Sequence, residues 1–165
     1  MQPASTPTNE KLYWEDLEVG DVRDLGQISP TREEIIAFAQ QFDPQPFHLD
    51  EEAAKQSVFG GLCASGWHTC GMAMRLMVTN FLCRTSSQGA PGLEVLRWHR
   101  PVYPGDTLRL QHTLVDKRIM SKRPSVGMVR GVWEMFNQHN EKVLQMEGWA
   151  MFGLRHPATP GSPTD

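Results

Sequence analysis

The chain has 165 residues, 39% of them hydrophobic, and a net charge of −3. That is enough apolar material for one domain with its own core, and the faintly acidic balance excludes the basic face that a nucleic-acid partner requires. Three cysteines, Cys63, Cys70 and Cys83, with no CxxC spacing argue against both a disulfide framework and a zinc site.

In chain order, residues 1–9 and 156–165 are rich in Pro, Thr and Ser and read as flexible tails around a folded unit at 10–155. The N-terminus is polar and carries no apolar stretch of the signal-peptide kind, so a soluble, cytoplasmic protein is expected. Residues 15–26 show short apolar alternation broken at Gly20-Asp21, a strand and turn. The spacing predicts a helix over 31–41: Thr31 and Glu34 form a capping box, and Ile35, Phe38, Ala39 and Phe42 repeat at i, i+3, i+4, i+7.

That helix leads into Phe-Asp-Pro-Gln-Pro-Phe-His-Leu-Asp, residues 42–50. Pro44 and Pro46 fix their own φ and push the preceding residues toward extended geometry, which predicts a stiff loop holding Asp43 and His48. A carboxylate and an imidazole together can hold a water and move its proton near neutral pH. Taken alone, the pair reads more readily as a capping Asp and a structural His.

Residues 51–56 read as a short helix, and Gly60-Gly61 as a flexible approach to Ser65-Gly66. From 67 to 81 the chain is apolar on nearly every side, which predicts a central buried helix; it is too short, and too interrupted by His68, Arg75 and Asn80, to span a membrane. Trp67, Met72, Met74 and Met77 on it are either core packing or the lining of a tunnel. Residues 95–100, 107–117, 127–137 and 142–152 alternate with period two and are punctuated by turns at 104–106, 121–125 and 138–141. One apolar helix followed by a long antiparallel meander predicts an α+β hotdog arrangement, a curved sheet wrapped around a helix.

The blocks Glu-Asp-Leu-Glu-Val-Gly-Asp, Phe-Asp-Pro-Gln-Pro-Phe-His-Leu-Asp-Glu-Glu-Ala-Ala, Phe-Gly-Gly-Leu-Cys-Ala-Ser-Gly-Trp-His and Leu-Arg-Trp-His-Arg-Pro-Val-Tyr-Pro-Gly-Asp resemble, in this order, the MaoC-like acyl dehydratases, which include R-specific enoyl-CoA hydratases. The likeness spans roughly 13–152. The family's Asp-x-Asn-Pro-x-His reads Asp43-Pro44-Gln45-Pro46-Phe47-His48 here, with Gln45 in place of Asn, and Pro104-Gly105-Asp106 matches a family strand entry. The resemblance implies that Asp43 and His48 are the catalytic pair and that the Gly66 N–H faces the thioester oxygen, with Ser65 and Trp67 beside it. The family's usual His-Gly-Met is Ser65-Gly66-Trp67 in this chain, and a helix serine of some hydratases falls at Met74.

The resemblance further implies reversible hydration of a 2-enoyl-CoA, with acyl-CoA as substrate, no cofactor and no metal, and a homodimer or higher even oligomer. A hotdog thioesterase and a non-catalytic acyl-CoA-binding protein are the competing readings. Lys117, Arg118, Lys122 and Arg123 cluster at a predicted hairpin, either a solvated tip or a contact for coenzyme A phosphates. His99, His112 and His139 are expected at the surface.

Overall fold

A computed structural model describes residues 10–157 of the protein. The expected tail at 1–9, and nearly all of the one at 156–165, fall outside them. Five strands, β1 (Val22–Ile28), β2 (Val95–Trp98), β3 (Leu108–Met120), β4 (Arg123–Phe136) and β5 (Lys142–Gly153), form one antiparallel sheet in the order β1-β3-β4-β5-β2. The helices are α1 (Arg32–Phe42), α2 (Pro46–Leu49), α3 (Glu51–Lys55) and α4 (Gly66–Asn80).

β3, β4 and β5 run 13, 14 and 12 residues. Strands of that length accumulate enough twist to curl the sheet, and α4 lies against its inner face. The alternation of β3 puts Leu108, Leu110, His112 and Leu114 inside. Register then lines up Leu110 with Met135 and Met135 with Leu144, and Met72, Ala73, Leu76 and Met77 of α4 complete the same core cluster. This is the hotdog architecture.

Local chemistry sets the element ends. The Glu34 N–H donates to Thr31 Oγ1 at 3.1 Å and the Thr31 N–H to the Glu34 carboxylate at 2.8 Å, the capping box read from the sequence. The 3-10 turn Trp14–Asp16 crosses β4 at Gly127, where a Cβ would lie 2.1 Å from the Trp14 ring.

Four expectations need correction. The segment after Asp43 is not loop throughout: Pro46 opens the short helix α2, because a proline at the first helical position lacks only an N–H that would have had no partner. Phe42 is 63% exposed, since it sits on the last turn of α1, outside the core cluster, with its ring centroid 5.0 Å from that of Phe38. α4 is not covered on every side: Trp67, Met74 and Val78 form an exposed stripe at i, i+7, i+11. His112 is buried, because it shares the inward phase of three leucines. His99 and His139 are exposed, as expected.

Candidate active site

Asp43 closes α1, its N–H donating to the Ala39 carbonyl at 2.9 Å. His48 sits on α2 and is buried. The two prolines between them bend the chain so that His48 Nε2 lies 3.4 Å from Asp43 Oδ2. His48 Nδ1 is 2.7 Å from the Cys63 carbonyl oxygen. A carbonyl only accepts, so Nδ1 carries the proton, and in the neutral ring Nε2 presents a lone pair to Asp43. A neutral Nε2 and a carboxylate oxygen are both acceptors, a pair that the two hydrogens of one water can bridge.

Ser65 connects this pair to the start of α4. Its hydroxyl donates to Asp43 Oδ2 at 2.7 Å and accepts from the Trp67 N–H at 3.3 Å, so one side chain caps the helix and holds the carboxylate. Gln45 donates to the other carboxylate oxygen at 2.7 Å. Burial pushes the Asp43 carboxyl up, but the hydrogen bonds from Ser65 and Gln45, with the field of His48, outweigh it and hold the group below its ordinary value. The carboxylate is therefore charged at neutral pH. Cys63 is a different case: burial pushes its thiol up to about 11, so it stays protonated and is no thiolate nucleophile.

Gly66 is the first residue of α4, and its N–H makes no hydrogen bond among the described residues. It is one of the amides that a helix start leaves open to an acceptor. The space in front of its Cα is taken by a residue that the sequence did not single out. A Cβ on Gly66 would lie 2.5 Å from the Trp98 indole, whose Nε1–H donates to the Gly66 carbonyl at 2.9 Å. Trp67 meets Trp98 edge to face at 5.5 Å. Asp43, His48, Gly66, Trp67 and Trp98 line one cavity of ≈ 490 Å³, while the Ser65 hydroxyl stands behind it, bonded to Asp43.

A family model described as MaoC like domain matches residues 17–133. The chain belongs to this family. It is 42% identical to a MaoC-like dehydratase of Rhodospirillum rubrum, whose crystal structure matches with a TM-score of 0.81 over 88% of this chain and 99% of that one. It is 28% identical over 133 residues to the uncharacterised protein YdeM of Bacillus subtilis, covering 81% of this chain and 93% of that protein. It is also 30% identical over 107 residues to a 3-hydroxybutyryl-CoA dehydratase of Methylorubrum extorquens, 64% of this chain and 65% of that protein.

The five residues singled out in the sequence of this MaoC-like chain thus come together. Gln45 and Trp98 were not among them. Gln45 had a signal, standing two residues from Asp43 with an amide long enough to turn back on it; Trp98 had none, being 32 residues from Gly66. The basic cluster divides. Lys117 Nζ lies 4.0 Å from the Trp14 ring centroid and donates to the Trp14 and Leu17 carbonyls, and Arg118 lies on the Trp149 ring. Both cations are engaged within the fold, while Lys122 and Arg123 sit at the hairpin tip. Among the described residues no three His, Cys, Asp or Glu side chains come together as metal ligands, and no helix is long and apolar enough to cross a membrane.

Proposed function

We propose that the protein is an acyl-thioester hydratase/dehydratase that interconverts a 2-enoyl-CoA and the R-3-hydroxyacyl-CoA. The observation that carries this reading is the 3.4 Å approach of His48 Nε2 to Asp43 Oδ2 on the wall of a cavity that also holds the first amides of α4. In the hydration direction, a water donates one hydrogen to Asp43 and the other to His48 Nε2. Its oxygen bonds to Cβ as Nε2 takes the proton, and the double-bond electrons move through Cα onto the thioester oxygen. The Gly66 N–H and the positive end of the α4 dipole stabilise that oxygen. The imidazolium then returns its proton to Cα, so water has added across the bond and His48 ends as it began. Ser65 and Gln45 keep Asp43 ionised and aimed, and Trp67 and Trp98 bound the space next to the thioester. Acyl-CoA is the substrate in this reading, and no step calls on a cofactor.

The exposed stripe Trp67, Met74 and Val78 and the free edge of β2, which carries Trp98, support pairing of two copies of the chain. Light scattering at micromolar concentration should report a dimer or a higher even oligomer, and a monomer contradicts the pairing. The activity is tested with crotonyl-CoA by following enoyl absorbance and free thiol together. Loss of absorbance without thiol supports the hydratase. Thiol release assigns a thioesterase, and binding with neither signal assigns a carrier of acyl-CoA.

A further inference from the structure

The C-terminal half of α4 and the inner face of the sheet enclose a second cavity, of ≈ 280 Å³, that shares no lining residue with the first. Its wall is apolar, with Met77 from α4, Phe81 just past the helix end and Met146 from β5, except for the exposed Ser87 and two buried side chains. His112 is 2% exposed and Trp133 is 7% exposed, and neither His112 Nδ1 nor Trp133 Nε1 has a hydrogen-bond partner among the described residues. The two rings stack with centroids 5.0 Å apart. Gly131 makes room for both, since a Cβ there would lie 2.6 Å from His112 Nε2 and 2.9 Å from the Trp133 ring.

Buried N–H groups in folded proteins are nearly always paired, and a cavity that served only to pack would be lined by Leu or Phe at these positions. Burial, helped by the nearby Arg23 charge, pushes His112 down to about 4, so at neutral pH it is an uncharged ring with one N–H and one lone pair. No Lys or Arg lines the cavity, so a carboxylate would enter without a counter-charge. An uncharged oxygen suits both groups: it accepts from the indole N–H and, as a hydroxyl or ketone, pairs with the neutral imidazole.

We propose that this cavity binds an apolar ligand bearing one uncharged oxygen function, a hydroxyl or a ketone, recognised by His112 and Trp133. That chemistry has two sources. One is a free medium-chain alcohol or ketone. The other is the far end of an acyl chain whose thioester sits at Gly66, and this second source rests on the hydratase reading. Along α4, Gly66 and Met77 are 11 residues apart, about 16 Å at 1.5 Å per residue, so only a long chain reaches.

The test is a nitrogen-resolved NMR titration of the intact protein, with the Trp133 indole signal assigned through Trp133→Phe. The probes are 2-heptanone and 1-heptanol, with 1-chloroheptane as the oxygen-free control. Both oxygenated probes should shift the Trp133 N–H signal and bind about tenfold tighter than the control, the size of one buried hydrogen bond. His112→Phe should erase that difference. If either variant does not fold, the wild-type contrast between probes decides alone, the indole signal then being assigned through backbone connectivities. Equal binding of the chloride, or no shift of the indole signal, overturns the proposal. In a second arm, kcat/KM is compared for a long 2-enoyl-CoA with and without a keto group near its end. A preference of about tenfold for the keto substrate assigns the acyl source, and no preference with retained probe binding assigns the free ligand. If no enoyl-CoA is turned over, the hydratase reading fails while the titration still judges this one.

Discussion

Ser65→Ala tests the link between the helix start and the carboxylate. Ser65 is fully buried and serves two partners, accepting from the Trp67 N–H and donating to Asp43 Oδ2. Loss of a helix cap costs about 1 kcal/mol. Loss of a hydrogen bond to a charged group costs roughly 1.5–3 kcal/mol, and the Asp43 side chain is only 19% exposed, so solvent offsets little of it. The sum is about 3 kcal/mol, which for a chain of this size lowers Tm by roughly 6–12 °C.

The pH dependence separates the two losses. Asp43 has a depressed folded-state pKa, so the stability from its hydrogen bonds is present above its ordinary value of 3.8 and lost as pH falls through the lower folded value. The deficit of the variant is therefore largest at neutral pH and shrinks in acid toward the cap contribution alone. Urea unfolding at pH 7 and at about pH 3 measures both. Turnover of crotonyl-CoA should fall about tenfold, because Asp43 keeps Gln45 but loses one of its two anchors. A Tm change under about 2 °C with unchanged turnover would refute the linkage.

Asp43→Asn and His48→Ala should each lower turnover by roughly 10²–10⁴-fold with the circular dichroism spectrum unchanged, and near-wild-type rates in either variant remove that residue from the mechanism. Gly66→Ala should raise KM more than it lowers kcat: the new Cβ displaces the 45%-exposed Trp98 ring, which can swing away but then no longer bounds the cavity, and unaltered KM would contradict that placement. His112 gives a separate pH signature. With a folded pKa of about 4 against an ordinary 6.5, the unfolded chain binds the extra proton between those values, so stability is full above 6.5 and falls as pH drops. From pH 7 to 5 this removes about 2 kcal/mol, and His112→Phe should flatten that part of the urea-measured profile; equal slopes would show that His112 is not held neutral.

Much of the fold was legible because it is written in short-range chemistry. The Thr31–Glu34 cap, the prolines flanking Gln45 and the alternation of β3 to β5 each act within a few residues, and the sequence predicted those elements in the observed order. The alternation also carried the burial of His112, which occupies the same phase as Leu108, Leu110 and Leu114; a general preference of histidine for the surface masked it. The pairing of Asp43 with His48 was legible for the same reason, since only five positions and two stiff residues separate them.

What the tertiary structure alone decided lies at longer range. Ser65 meets Asp43 across 22 residues, His48 meets the Cys63 carbonyl across 15, and Trp98 covers Gly66 across 32. Periodicity says that an element has two faces, but not which element will lie against each, and so it could not show that Trp67, Met74 and Val78 stay uncovered in a single chain. Nor could it show that two buried rings face a cavity without partners. Those outcomes depend on how far the long strands curl around α4, and that curvature is set by packing between elements rather than by any residue's own preference.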